Sequence, residues 1–267
     1  MTQGTLASGL VVEFRGTKNR ELAAFRKTLE EKGHAVALTE MLNACTEQVV
    51  DPGPTNILDE DGKPDWSKAL SGDRLQAAIL LRIASFPEGH KYKLDLKCPR
   101  CPASRPSFPK VLDLRAIPNG DLLWYPMPEE AIESVRKEQP FVCTVDGKMV
   151  SFLLSDGRME AQLEEVSRGD RVEDAAIAQA RLRITEVEDV HANDVHRWLG
   201  DLTVAEYEVL EDAMDAVEGG VDIAIEAVCP EGHEFQAAVP FDVSFWRPQE
   251  GMRNRRKERL AAARSGV

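Results

Sequence analysis

No stretch of this chain approaches the ~18 consecutive apolar residues that a membrane helix needs. The compact motifs of phosphate and acyl-transfer chemistry are also missing. The segments "GDRLQ" and "VEGGVD" lack the lysine and the spacing of a phosphate-cradling loop, and no G-x-S-x-G nucleophile elbow occurs. There is no internal repeat. Cysteine is scarce: five residues, an odd number at irregular spacing, argue against a disulfide scaffold and for a reducing compartment. The opening "MTQGTLASGLVVEF" has neither the basic start nor the long apolar block of a secretory signal, so a cytosolic protein is expected.

Positive charge is in short supply over most of the chain. The net charge is −13, which opposes non-specific binding of nucleic acid by the body of the protein. Between Glu160 and Glu218 there are 17 acidic residues against five arginines, a net of −12. From Arg247 to Val267 the balance reverses, with seven Lys/Arg against Glu250 and Glu258, a net of +5. An acidic block and a basic tail on one chain point to charge-complementary neighbours, and Arg253, Arg255, Arg256, Lys257 and Arg259 are the candidate partner-binding residues. Read singly, each feature is equally a solvated helical face or a frayed terminus.

At 267 residues, 43% hydrophobic and 30% charged, the chain is long enough for a real core. "TLASGLVVEF" alternates as a strand, with Leu10, Val12 and Phe14 on one face. Leu22, Phe25 and Leu29 then recur at helical spacing, with Gly33 as a stop. A second helix is expected over Thr39–Val50, and "DPGPTNILDEDGKPDW" reads as an exposed linker over 51–66. Asp73 is placed to cap "RLQAAILLRIASF". From His90 the period changes: "YKLDLKC" and "PKVLDLRAI" form a strand and its return. "FVCTVDGKMVSFLL" is a hairpin turning at Asp146-Gly147, a pair that supplies the positive φ angles of a two-residue turn.

Residues 158–218 read as helical throughout, with Thr203 and Glu206 in capping-box register. "VDIAIEAVC" and "EFQAAVPFDVSFW" return to strand. The expectation is an α+β fold, with metal-pinned β segments interrupted by an acidic helical insertion. Its regions are 1–90 (a strand plus helices), 91–157 (β, first knuckle and hairpin), 158–218 (the insertion), 219–248 (β, second knuckle) and 249–267 (the basic tail).

The most specific signal is a pair of knuckles. Cys98-Pro-Arg-Cys101 follows an alternating strand, and Cys229-Pro-Glu-Gly-His233 follows another. Three thiolates and an imidazole are a ligand set of closed, tetrahedral structural zinc sites, and strand ends with tight turns are how zinc ribbons present ligands. The 127 residues between Cys101 and Cys229 far exceed ordinary ribbon spacing, so the site would pin β segments on either side of the insertion. Alternatives stay open: reduced thiols without metal, or redox chemistry, although the βαβ context of a thioredoxin pair is not apparent. A rubredoxin-type iron site wants four cysteines. Glu231 and Glu234 raise a catalytic zinc, but four complete ligands argue for a closed site. Cys45 in an apolar helix and Cys143 in a strand read as core thiols, and His191 and His196 as surface or packing residues.

Several of these segments together resemble a known family. "LASGLVVEFRGTKNREL", "LLRIASFPEGHKYKLDLKCPRC", the "F…DG…FLL" hairpin and "CPEGHEFQAAVPFDVSFWRP" are similar to the baseplate hub assembly proteins of T-even-like contractile-tailed phages. That family usually has C-P-x-C-G-H in the second knuckle. Here the second cysteine is missing, and His233 takes its chemical place. The aromatic pair before the terminal Pro carries an inserted Arg, as Phe245-Trp246-Arg247-Pro248. The resemblance implies a tail-assembly or baseplate protein with no catalytic activity. Its partners would be other baseplate or tail proteins, the tape measure or further copies of itself. It would be found in the host cytoplasm during assembly or in the tail baseplate. A zinc-ribbon adaptor of a nucleic-acid-processing complex and a zinc hydrolase are the rival expectations. Trp124, Tyr125 and "FDVSFW" are interface anchors for tail partners under the leading reading and otherwise core residues.

Overall fold

The computed structural model describes residues 2–86, 88–102, 104–168, 175–241 and 245–246. In chain order its elements begin with β1 (Thr2–Thr5), β2 (Val11–Phe14), α1 (Asn19–Glu31), α2 (His34–Cys45), β3 (Thr46–Asp51) and α3 (Ser71–Ser85). There follow β4 (Lys91–Leu96), β5 (Phe108–Asp113), β6 (Leu123–Tyr125), α4 (Glu129–Arg136), β7 (Phe141–Val145) and β8 (Lys148–Phe152). The rest are α5 (Gly157–Arg168), α6 (Ala175–Arg183), β9 (Ile184–Val187), α7 (Val195–Asp201), α8 (Val204–Asp215), β10 (Gly220–Asp222), β11 (Ala224–Val228) and β12 (Glu234–Ala238). Helices with several small antiparallel sheets make this an α+β fold. No described helix is long and apolar enough to cross a membrane.

The chain divides into two compact units. The first comprises Met1–Leu81 and Tyr125–Val221; the second comprises Arg82–Trp124 and the described residues from Asp222 onward. In the first unit β1–β2–β3 form one antiparallel sheet and β7–β8–β9 another. Leu10, Val12 and Phe14 are buried as their alternation requires, but the segment is a hairpin rather than one strand. Gly9, at φ 91°, makes the turn between β1 and β2 in a region that favours glycine. The Asp146-Gly147 turn has φ values of 50° and 71°, and Val145 pairs with Lys148 across it.

Three local expectations are corrected. The second helix starts at His34 and stops at Cys45, and Thr46–Asp51 is strand β3. The Thr46 hydroxyl donates to the Leu42 carbonyl at 2.8 Å, and the Arg15 amide donates to the Cys45 carbonyl, so the helix end is satisfied while the β-branched "TEQVV" pairs with β2. The 158–218 region is not helical throughout, because Ile184–Val187 forms β9 against β8. The 51–66 segment is also tied down: Ile57 and Trp66 are fully buried, Trp66 stacks on Phe14 at 5.8 Å, and its indole N–H donates to Thr46 Oγ1.

Charged side chains on α3 organise the first unit. Asp73 does not cap the helix. It is buried and accepts hydrogen bonds from the Ser8 amide at 3.0 Å and the Ser8 hydroxyl at 2.5 Å. Burial pushes its carboxyl up to about 6, against the lowering effect of the Ser8 and Ala7 donors. Gln76 accepts from the Ala7 amide and donates to the Gly220 carbonyl. Arg74, fully buried, donates to Glu160, the Thr39 hydroxyl and the carbonyls of Trp66 and Ala35. One guanidinium thereby joins α2, α3, α5 and the 52–69 loop. The apolar core beneath β7–β9 gathers Val150, Phe152, Ile184, Leu199, Leu210 and Met214.

The second unit is built from two hairpins. β4 pairs with β5 from Lys91↔Asp113 to Leu96↔Phe108, and β11 pairs with β12 from Ala224↔Ala238 to Val228↔Glu234. Alternation buries Tyr92, Leu94 and Leu96 on one hairpin and Ile225 and Ala227 on the other. Phe108 meets Phe235 edge to face at 6.2 Å, and Lys110 Nζ donates to the Glu226 carbonyl, so the hairpins lie against each other. Phe245 and Trp246 are buried, which makes them core residues rather than interface anchors. The Arg82 guanidinium lies within 5.2 Å of the Phe86, Tyr92 and Phe245 ring centroids and donates to the Phe245 and Lys91 carbonyls. Burial holds its pKa down to about 10.

Candidate metal centre

Each hairpin of the second unit carries one half of a site. Cys98 follows β4 by two residues, and Cys101 lies in the same turn on the way to β5. Cys229 follows β11 directly, and His233 immediately precedes β12. The second turn is closed by backbone bonds from the Cys229 amide to the His233 carbonyl at 3.0 Å and from the Gly232 amide to the Cys229 carbonyl at 2.8 Å. Gly232 adopts φ 82°, which a side chain would strain, so glycine here is what lets Cys229 and His233 face the same point.

The structure brings all four predicted ligands together, with their ligand atoms within 4.8 Å of one another. Cys101 Sγ is 3.8 Å from Cys229 Sγ. His233 Nδ1 is 3.4 Å from Cys101 Sγ, 3.6 Å from Cys229 Sγ and 3.8 Å from Cys98 Sγ. A regular tetrahedron with metal–sulfur bonds of ~2.3 Å and a metal–nitrogen bond of ~2.0–2.1 Å has S···S edges near ~3.8 Å and S···N edges near ~3.6 Å. The four edges given lie within about 0.2 Å of those lengths, and the Cys3His group, whose ligand atoms all fall within 4.8 Å of one another, could hold a metal ion. Cys98 and Cys229 are buried, while Cys101 and His233 are partly exposed.

The sulfur environments differ. Burial drives the Cys101 thiol up to about 11, and the neighbouring Cys98 and Cys229 sulfurs push the same way. At Cys229 burial again opposes the thiolate, but the backbone N–H groups of His233 and Glu231 and the adjacent Cys101 and Cys98 thiols outweigh it, bringing the group down to about 7. The His233 amide lies 3.4 Å from Cys229 Sγ. These N–H···S contacts, which orient the Cys229 sulfur, are the part of the site that residue spacing alone did not disclose. They follow from the Cys-x3-His turn itself.

The remaining candidates fall elsewhere. Glu231 pairs with Arg105 at 2.8 Å, and Glu234 is exposed. Cys45 is fully buried and its thiol is pushed up to about 11 by that burial. Cys143 lies half-buried in β7, its thiol also raised by burial. His191 and His196 are exposed, and His191 Nδ1 accepts from the Asn193 amide, a turn role. Trp124 is half-buried and Tyr125 exposed. Arg253, Arg255, Arg256, Lys257 and Arg259 lie outside the described residues. No family model, curated protein or solved structure matches the chain.

Proposed function

We propose that Cys98, Cys101, Cys229 and His233 hold one structural zinc ion, and that the protein is a non-catalytic assembly component of a contractile-tail baseplate hub. The convergence of the four ligand atoms to within 4.8 Å of one another carries the first statement. Three thiolates with one imidazole suit zinc among the common divalent ions, and a complete four-ligand set leaves no position for substrate. The ion would supply folding free energy by clamping the β4–β5 turn to the β11–β12 turn.

The second statement draws support from the sequence resemblance, on the paired knuckles and the segments flanking them. The acidic 160–218 block and the basic residues Arg253, Arg255, Arg256, Lys257 and Arg259 would then provide contacts to tail proteins or to further copies of the chain. Deleting the coding region from its genome tests this reading. Heads should still form while tails stall before baseplate completion, and the protein should copurify with hub or wedge components. Normal infectious particles from the deletion would overturn it.

A further inference from the structure

We infer, resting on the metal-site reading above, that Cys101 and Cys229 form a peroxide-oxidisable pair whose disulfide takes over from the metal as the joint between the two hairpins. Their sulfurs are 3.8 Å apart although 128 positions separate them. Closing to a disulfide of ~2.05 Å therefore asks for ~1.8 Å of approach, on the scale of side-chain adjustment in two tight turns. Cys101 is partly exposed whereas Cys98 and Cys229 are buried, so a small peroxide meets Cys101 first.

The chemistry balances with hydrogen peroxide as oxidant. One sulfur of the pair, as its thiolate, attacks the O–O bond, forming a sulfenic acid, and the displaced hydroxide leaves as water after taking up a proton. The other sulfur then attacks the sulfenic sulfur, forming the S–S bond as the S–OH bond breaks, and a second water leaves with the proton of the attacking thiol. Two thiols are oxidised by two electrons, and the peroxide is reduced to two waters.

Which sulfurs pair decides the consequence. A Cys98–Cys101 disulfide would tie one turn to itself and leave the hairpins unjoined. A Cys101–Cys229 disulfide takes one ligand from each turn. It leaves Cys98 and His233 too few to retain a tetrahedral ion, yet keeps β4–β5 fastened to β11–β12. Metal and disulfide are therefore alternative clamps at the same point. Cys45 and Cys143 sit in the first unit and take no part.

The test uses the full chain, as isolated and after chelator treatment, exposed to hydrogen peroxide. Free thiols are then counted, and proteolytic peptides are mapped without reduction. Free thiols should fall from five to three, the loss of one pair. One linked peptide should join the segments containing Cys101 and Cys229, and bound metal should pass to a chromogenic chelator in step with that link. Cys143→Ser should leave the linked peptide in place, and Cys229→Ser should abolish it. A Cys98–Cys101 link, or only oxyacids at Cys101, overturns the inference even if metal is present. A Cys101–Cys229 link in a chain isolated without metal contradicts the metal reading instead.

Discussion

Cys98 Sγ and His233 Nδ1 stand 3.8 Å apart across 135 positions of sequence, each delivered by the end of a different hairpin. Holding four such groups on one tetrahedron without an ion brings three thiols and an imidazole into close contact, which only hydrogen bonding to sulfur offsets. A bound metal would relieve that crowding and tie the hairpins together. Removing it should act on both hairpins at once.

Chelation, or Cys229→Ser, should therefore speed amide exchange in 91–96, 108–113, 224–228 and 234–238 as a group, while the β7–β8–β9 amides keep their protection. Structural zinc contributes on the order of 10 kcal/mol in small modules, and less is expected here because Tyr92, Phe245 and Trp246 already form a core. Exchange that rises in one hairpin only would show that the clamp is not shared.

Asp73 gives the first unit a pH signature. Its folded pKa of about 6 lies above the ordinary value of 3.8, so the folded state binds its proton more tightly than the unfolded chain does. Stability from this group is full below about pH 4 and is lost as pH rises through about 6. Asp73→Asn keeps an acceptor for the Ser8 amide and cannot ionise. Relative to the parent, the variant should gain on the order of 2–3 kcal/mol between pH 4 and pH 7, read from denaturant unfolding. Parallel stability profiles for the two proteins would refute the assignment.

Arg74→Met should be among the most damaging substitutions in the first unit. It strands Glu160, the Thr39 hydroxyl and the Trp66 and Ala35 carbonyls around a buried space. A loss of about 3–5 kcal/mol is expected. Arg74→Lys should recover little, because one ammonium cannot reach partners arranged around a planar fork. A loss below about 1 kcal/mol for Arg74→Met, the range of an exposed pair, would contradict the hub role.

Removing residues 249–267 should leave the thermal transition nearly unchanged and weaken association with acidic partners. In the intact protein that association should fall with salt, as the screening length drops from ~10 Å at 0.1 M to ~3 Å at 1 M. Light scattering across a salt series checks both outcomes, and a large loss of monomer stability on truncation would count against the partner role.

Features set by local chemistry were legible in the sequence. The Asp146-Gly147 turn, the Thr203–Glu206 capping box and the two knuckles each depend on residues a few positions apart, and the structure reproduces each of them. Features set by distant partners were not. The helix-to-strand change at Cys45–Thr46 is decided by pairing with β2, and β9 exists because β8 offers it an edge. Ile57 and Trp66 look exposed among Pro, Gly and Asp, and only the Phe14 face they cover explains their burial. Asp73 ran against its expected capping role and the burial of Arg74 went unread for the same reason: charged residues are rarely buried, and their partners Ser8 and Glu160 are 65 and 86 positions away.

The central claim is a metal-clamped joint between two hairpins, and elemental analysis of the purified full chain tests it most directly. About one zinc per chain is expected, falling to background in Cys98→Ser, Cys229→Ser and His233→Ala but not in Cys45→Ser or Cys143→Ser. A parent chain free of metal, or a zinc content unchanged by loss of Cys229, would contradict it.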